Sequence, residues 1–330
     1  MARIWMTVLI VLTAIWLAYH AAAKASGAQT PEPATQSPTT APGEEASPVR
    51  ALLAEVLPKA KELVEPIEGG EVNWTTGQII ATGEGKAHGT SAQQAEMAQR
   101  AARLAAAHNA LLILAGVRVG PGGQFKDIAS GNVKVQGVLE NFEEVSSTFD
   151  PQTRTATVKL AVPIYGAHGA VKLFGVELAG RVKPVAPPPG QKKADIRLII
   201  IDARNTSLRP SVLPRIATAS GEVIFDPAPA PAAKAAAPLQ PVVFVRMLPD
   251  EKLDKAMPVE DQDKKGQVVV LTAQRPPESL QKSPGTITLS DDDANDLMSF
   301  LATGGLLDKG QVVVVTDPPK SESPSKPANP

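Results

Sequence analysis

Prolines divide this chain before any other feature is read. Of 31 prolines in 330 residues, 19 fall in four tracts, 31–48, 184–189, 227–241 and 318–330. Each tract mixes proline with Ala, Ser, Thr, Lys or Gly and carries no periodic apolar residues. Proline fixes φ and lacks an amide hydrogen, so such stretches favour extended spacers and do not sit inside a helix or a central strand. The folded parts must lie between them. This predicts a disordered spacer over 26–48, a first module over 49–183, a linker over 184–193, a second module over 194–317 with a Pro/Ala-rich insertion at 227–241, and a disordered tail over 318–330.

Composition narrows the class of protein. With 43% hydrophobic residues the chain has enough apolar material for real cores, unlike a wholly disordered sequence. Its 33 basic and 34 acidic side chains nearly cancel. A nucleic-acid binder needs a basic surface to displace phosphate counterions, so no nucleic-acid partner is expected.

Arg3 precedes the apolar run Ile4 to Ala18, and the small residues Ala23 and Ala25 follow in an A-x-A pattern. Residues 1–25 therefore read as a secretory signal peptide cut after Ala25. Removing them deletes Arg3 and Lys24 and leaves 31 basic against 34 acidic residues. The rival reading is an uncleaved inner-membrane anchor over residues 4–23, about the 20 residues that a span requires. There is no cysteine. An exported chain without disulfides depends on its own core and has no N-terminal thiol for lipid attachment, which suits a bacterial periplasm.

In the first module, Val49 to Val64 carries apolar residues at helical spacing, broken at Pro58. Val72 to Gly85 is rich in β-branched residues and predicts a strand, with Trp74 packed in the core, that runs into a turn at Gly83, Gly85 and Gly89. Ser91 with Gln94 forms a capping box, and Ala92, Ala95, Ala98 and Ala102 begin an alanine face that ends at Gly116. Val133 to Leu139 and Thr155 to Val162, with a turn at Asp150-Pro151-Gln152-Thr153, predict a hairpin. The order strand, long helix, strand, strand predicts an α+β fold with the helix on a mostly antiparallel sheet.

Trp74, Gly83-x-Gly85, the alanine helix ending in Asn109-Ala110-Leu111-Leu112 and Gly116-Val117, Val135-Gln136-Gly137 and the closing Val158-Lys159-Leu160 resemble the small bacterial envelope lipoproteins. The N-terminal domain of the flagellar T-ring assembly protein shares their fold. The resemblance covers about 72–175. It implies a structural or adhesion-like envelope role and supplies no catalytic residues. The acylated cysteine of those lipoproteins is absent, so their lipid anchor does not carry over.

The second module reads as a β-rich α+β unit. Asp195 to Arg204 predicts a buried strand, valine-rich runs at 242–246, 268–271 and 312–315 predict others, and Ser290 with Asp293 caps a helix over about 291–302. The phrases Ile201-Asp202-Ala203-Arg204 and Leu213-Pro214-Arg215-Ile216 resemble the second module that follows the first in large envelope proteins of this kind. Asp202, Arg204, Arg209 and Arg215 concentrate charge beside an apolar strand, as a structural ion-pair network or a binding groove.

Sequence motifs for chemistry fail on spacing. The glycines at 83, 85 and 89 miss the dinucleotide fingerprint by one position, and Asp261-x-Asp263 with Gly266 lacks the acid that closes a calcium loop. His88, His108 and His168 are too widely spaced for a metal motif, and no G-x-S-x-G turn exposes a serine. No catalytic, cofactor-binding or metal-ligating residue is assigned. The expectation is a non-enzymatic envelope protein that binds other envelope proteins, touching the membrane only through its N-terminal segment if that is uncleaved. The alternatives are a periplasmic hydrolase or ligand-binding protein using the Asp202/Arg204 region, and a peptidoglycan or glycan binder using Trp74.

Overall fold

The computed structural model describes residues 53, 55–120, 123–128, 142–166, 168–173, 181–182, 196–226, 240, 242–248, 253, 256–261, 264–278, 280, 285–304 and 311–317. The leader with Ala23 and Ala25, the spacer 26–48, the strand expected at 133–139, the linker 184–193, nearly all of 227–241 and the tail 318–330 lie outside the described residues. The fold is α+β, built on two main sheets.

The first sheet is antiparallel. Its strands β2 (Val64–Ile67), β3 (Gly70–Asn73), β4 (Gln78–Lys86), β7 (Glu143–Asp150) and β8 (Thr155–Pro163) run in the order β2-β3-β4-β8-β7. Helix α1 (Ala92–Gly116) lies across β4 and β8. The Ser91 hydroxyl accepts from the Gln94 amide at 3.3 Å, which satisfies one of the first-turn N–H groups and sets the start of the helix. Ala98, Ala102, Ala106 and Ala110 recur every four residues and form its buried face with Ile113 and Leu114.

Val72 to Gly85 is therefore not one strand followed by a glycine turn. Val72 and Asn73 end β3, Trp74 to Gly77 turn the chain, and Gly83 and Gly85 lie inside β4. The turn needs Gly77, whose φ of +66° is the left-handed region, and a Cβ there would meet the Tyr165 ring at 2.7 Å. Gly83 and Gly85 have another purpose. A Cβ on Gly83 would strike the backbone of Ala102 and Ala106, and one on Gly85 would strike that of Ala98. Alanine on the helix and glycine on the strand together bring the two backbones into close approach. Asn109 fixes the helix lengthwise by donating its Nδ2 to the Thr82 carbonyl at 2.7 Å.

The hairpin turn falls at the expected place, but the strand entering it is β7 at 143–150. Asp150 organises that turn. Its carboxylate accepts from the Thr153 hydroxyl and the Gln152 amide, which hold its pKa below the usual carboxylate range. The segment expected to be a broken helix over 49–64 also differs. Residues 53, 55 and 56 are helical, but the chain then extends into β1 (Lys61–Glu62) and β2, because Pro58 ends the helix and Val64-Glu65-Pro66-Ile67 pairs with β3.

The second sheet has ten strands and mixed direction. The remaining elements are β5 (Arg118–Gly120), β6 (Gly123–Gln124), α2 (Phe125–Ile128), α3 (Ala170–Leu173), β9 (Arg181–Val182), β10 (Ile196–Asp202), β11 (Arg215–Thr218), β12 (Val223–Asp226), β13 (Val243–Arg246), β14 (Ala256–Asp261), β15 (Lys264–Gln274), β16 (Thr286–Leu289), α4 (Asp291–Gly304) and β17 (Val312–Thr316). The order is β1-β13-β17-β10-β15-β16-β11-β12-β9, with β14 also on β15. β13, β17, β10 and β15 are mutually parallel. Parallel strands are buried on both faces, which explains runs such as Leu198-Ile199-Ile200-Ile201 and Val312 to Val315. Ile199, Ile201, Val312 and Val314 face one core; Leu198, Ile200, Val313 and Val315 face another with Leu53, Val56 and Leu57. α4 starts at Ser290, whose hydroxyl accepts from the Asp293 amide at 3.1 Å, and its three first-turn acids sit at the positive end of the helix dipole.

The two sheets share material. β1 and β9 come from the first stretch of chain yet pair with β13 and β12 at opposite ends of the second sheet. One hydrophobic cluster runs from Leu63, Trp74 and Ile79 to Ile199, Phe244 and Leu297. Two buried threonines of β16, Thr286 and Thr288, have hydroxyls with no hydrogen-bond partner among the described residues. A buried unsatisfied hydroxyl costs free energy, so Thr288→Val is expected to stabilise the protein by about 1 kcal/mol. Thermal or urea unfolding reads this directly, and a lower midpoint would show that Thr288 has a partner in solution.

Candidate functional site

Asp202 ends β10 and Arg204 follows it in a tight turn. The guanidinium grips the carboxylate with two bonds, Nε to Oδ1 at 2.8 Å and Nη2 to Oδ2 at 2.7 Å, and donates Nη1 to the Leu248 carbonyl at 2.7 Å. Only 9% of the Arg204 side chain is exposed. Asn205 and Ser207 continue the loop with φ of +63° and +62°. The Asn205 amide donates to Asp317 beyond β17, and its carbonyl accepts from Arg275 beyond β15. This corner ties together the carboxyl ends of β10, β13, β15 and β17. The charges that the sequence singled out are thus partly gathered: Asp202 and Arg204 hold each other, Arg209 is exposed, and Arg215 is half-buried in β11. In this fork-to-fork pair both carboxylate oxygens and three guanidinium nitrogens are engaged within the corner itself.

A second polar centre, built around Trp74, was not anticipated. Trp74 is 2% exposed, so it offers no face for sugar stacking, and the glycan reading loses the residue on which it rested. Its Nε1 donates to Glu65 Oε2 at 2.8 Å. The same oxygen accepts from Arg118 Nη2 at 2.6 Å, and the Arg118 guanidinium lies 5.6 Å from the indole centroid. Arg118 Nε then crosses to the Pro210 carbonyl, and Phe244 packs edge-on to the indole. Around this centre Thr75 donates to the Phe244 carbonyl at 2.6 Å, Gln240 donates to the Trp74 carbonyl at 2.9 Å, and Tyr165 donates to the Val212 carbonyl at 2.9 Å. Burial pushes the Tyr165 phenol up, so it stays a neutral donor. The bonds from Arg118 Nε, Thr75, Gln240 and Tyr165 each link a residue of 61–165 with one of 210–244, so the cluster joins the two sheets. The legible signal was a lone buried-type Trp with few other aromatics; its partners, far apart in sequence, were not legible.

Among the described residues no group of three His, Asp or Glu side chains is placed to hold a metal. His88, His108 and His168 are each exposed, His108 on α1 and the other two in separate loops. Asp261 ends β14, while Asp263 lies outside the described residues. No helix among the described residues is long and apolar enough to cross a membrane.

The surface of the first sheet carries what the interior does not use. Five of the six large apolar side chains that stay exposed among the described residues are on it: Ile67 on β2, Met97, Leu104 and Leu112 on α1, and Val145 on β7. β2 and β7 are its two edges. Among the described residues β7 bonds only to β8, and a bulge between Glu144 and Ser146 turns Val145 outward, where 56% of it meets solvent. Arg103 of α1 pairs with Glu144 and pins the helix to this edge.

Comparison with known families reaches the second sheet. Residues 198–318 match the model of the second domain of Treponema pallidum Tp0624. The match begins in β10 and ends just after β17, so it spans the parallel centre, the Asp202/Arg204 corner and α4. It does not include 72–175, where the envelope-lipoprotein resemblance lies. No curated protein matches the chain.

Proposed function

We propose that this chain is a non-enzymatic interaction module of the bacterial cell envelope, which docks other envelope proteins by strand addition on its first sheet. The observation that carries the reading is the β7 edge, a strand bonded on one side among the described residues and bearing an exposed valine. An open edge gives main-chain hydrogen bonds to an incoming strand, and an apolar side chain adds selectivity. The bulge and the acids Glu143 and Glu144 blunt one end against indiscriminate pairing and leave Ser146–Asp150 as the regular ladder.

The leader-like residues 1–25, the lack of cysteine and the envelope-lipoprotein resemblance support export to the periplasm or envelope, with anchoring through residues 4–23 as the variant in which the leader is kept. Association with a flagellar or outer-membrane assembly follows from the same resemblance. Val145→Lys places a charge on the edge without disturbing the core, and it is expected to abolish co-purification of the partner while leaving the stability within about 0.5 kcal/mol of the parent. Unchanged co-purification by the lysine variant would remove the edge from the account.

A further inference from the structure

One edge of the second sheet is covered by a segment that precedes the first sheet in the chain. Leu53, Val56 and Leu57 are 7%, 9% and 3% exposed and cluster with Leu198, Ile200, Val245, Val313 and Val315 on one face of the parallel strands. β1 then lies against β13 as the edge of the sheet. The family match begins at residue 198, so this cover lies outside it. Two features set the segment apart from the strands it covers. Its ladder is two pairs long, Lys61 with Arg246 and Glu62 with Val245, whereas β10 pairs with β15 at six positions. The first of those pairs sets two exposed cations directly opposite each other, which weakens a ladder. The segment is therefore held chiefly by its three apolar side chains. Just beyond it the chain is fastened. Glu62 accepts from Asn73 Nδ2 at 2.8 Å, the Leu63 carbonyl accepts from the Trp74 amide at 2.9 Å, and the Leu63 amide donates to Thr75 Oγ1 at 2.8 Å. That hydroxyl donates in turn to the Phe244 carbonyl at 2.6 Å.

We propose that residues 53–61 are a releasable strap, which opens as a unit up to the stop at Glu62 and Leu63 and bares the β13 edge. The closed strap is itself the occupant of that edge, so the contact is autoinhibitory. Segments at a sheet edge with few ladder bonds open locally at a free energy well below that of global unfolding. Lifting this one takes Lys61 from Arg246 and the three apolar side chains from the sheet face, while β13 keeps β17 on its other side. Thr75 stays on the Phe244 carbonyl, so the length uncovered is Val245 and Arg246. The release uses neither β7 nor a partner bound there, so it stands or fails separately from strand addition on the first sheet.

The test is native-state hydrogen exchange of the full chain, in water and in urea below the unfolding transition. The strap reporters are the Leu57 and Ala60 amides, which donate to the Leu53 and Leu57 carbonyls at 2.7 and 2.9 Å. The reference is the sheet centre, where the Ile199 and Ala203 amides donate to the Gln311 and Val315 carbonyls. The strap amides are expected to exchange about tenfold faster than the reference or more, with a much shallower dependence on urea, because lifting a strap exposes little surface. Leu57→Ala is expected to quicken exchange at Ala60 by about tenfold or more. Lys61→Glu sets opposite charges across the ladder and is expected to slow it by about threefold; its site is exposed, so the fold is retained. Strap amides that exchange at the rate and with the urea dependence of Ile199 and Ala203, or an Ala60 rate that neither substitution changes, overturn the proposal.

Discussion

Replacing Gly83 by alanine is expected to cost about 3 kcal/mol, although the change adds one methyl group to a strand in which alanine is otherwise acceptable. The methyl would occupy the position of the Ala102 and Ala106 backbones, which belong to a helix held by hydrogen bonds and cannot give way as a flexible side chain would. The helix must lift from β4, and the contacts of Ala98, Ala102 and Ala106 with Ala156, Val158 and Leu160 loosen together. For a folded unit of this size the loss lowers the thermal midpoint by roughly 6 to 12 °C. Gly116→Ala is the matched control. A Cβ there meets nothing within 4 Å, so its stability should stay within about 0.5 kcal/mol of the parent. If the two glycine variants melt together, the close approach of α1 to the sheet is not what Gly83 provides.

The second large effect is expected at Trp74. Truncation to alanine removes a fully buried indole and costs about 4 kcal/mol. It also removes the surface on which Arg118 lies and one of the two donors to Glu65. Those groups sit where the two sheets meet, so the cost falls on their coupling. Calorimetry of the parent should give one cooperative transition, and Trp74→Ala should divide it into two, with the first sheet melting earlier. Trp74→Phe keeps the ring and loses the Nε1 bond to Glu65, and should lie between them. A parent that already melts in two steps would mean that the shared cluster does not couple the sheets.

Local features were legible in the sequence and long-range ones were not. Ser91 and Ser290 announced their helices because a cap is written within three residues. The turn at Asp150-Pro151-Gln152-Thr153 was legible for the same reason. Gly83 and Gly85 were misread as a turn, because glycine marks both turns and close backbone approach, and only the position of α1 distinguishes them. The division into modules by proline tracts did not reveal that β1 and β9 pair into the second sheet, since pairs such as Lys61 with Arg246 are specified by partners far along the chain. The same holds for Glu65, Trp74 and Arg118, which no spacing rule brings together. Asp202 and Arg204 could be found because they flank the end of an apolar strand, but their two-bond grip needed the turn that follows it.

The reading of this chain as an interaction module rests on the β7 edge, and a photo-reactive amino acid at position 145 in living cells tests it most directly. The account predicts a discrete adduct between the chain and an envelope protein, formed from position 145 and not from a buried-face control such as Val158 on β8. Absence of any adduct from position 145, with the protein exported and folded, would contradict it.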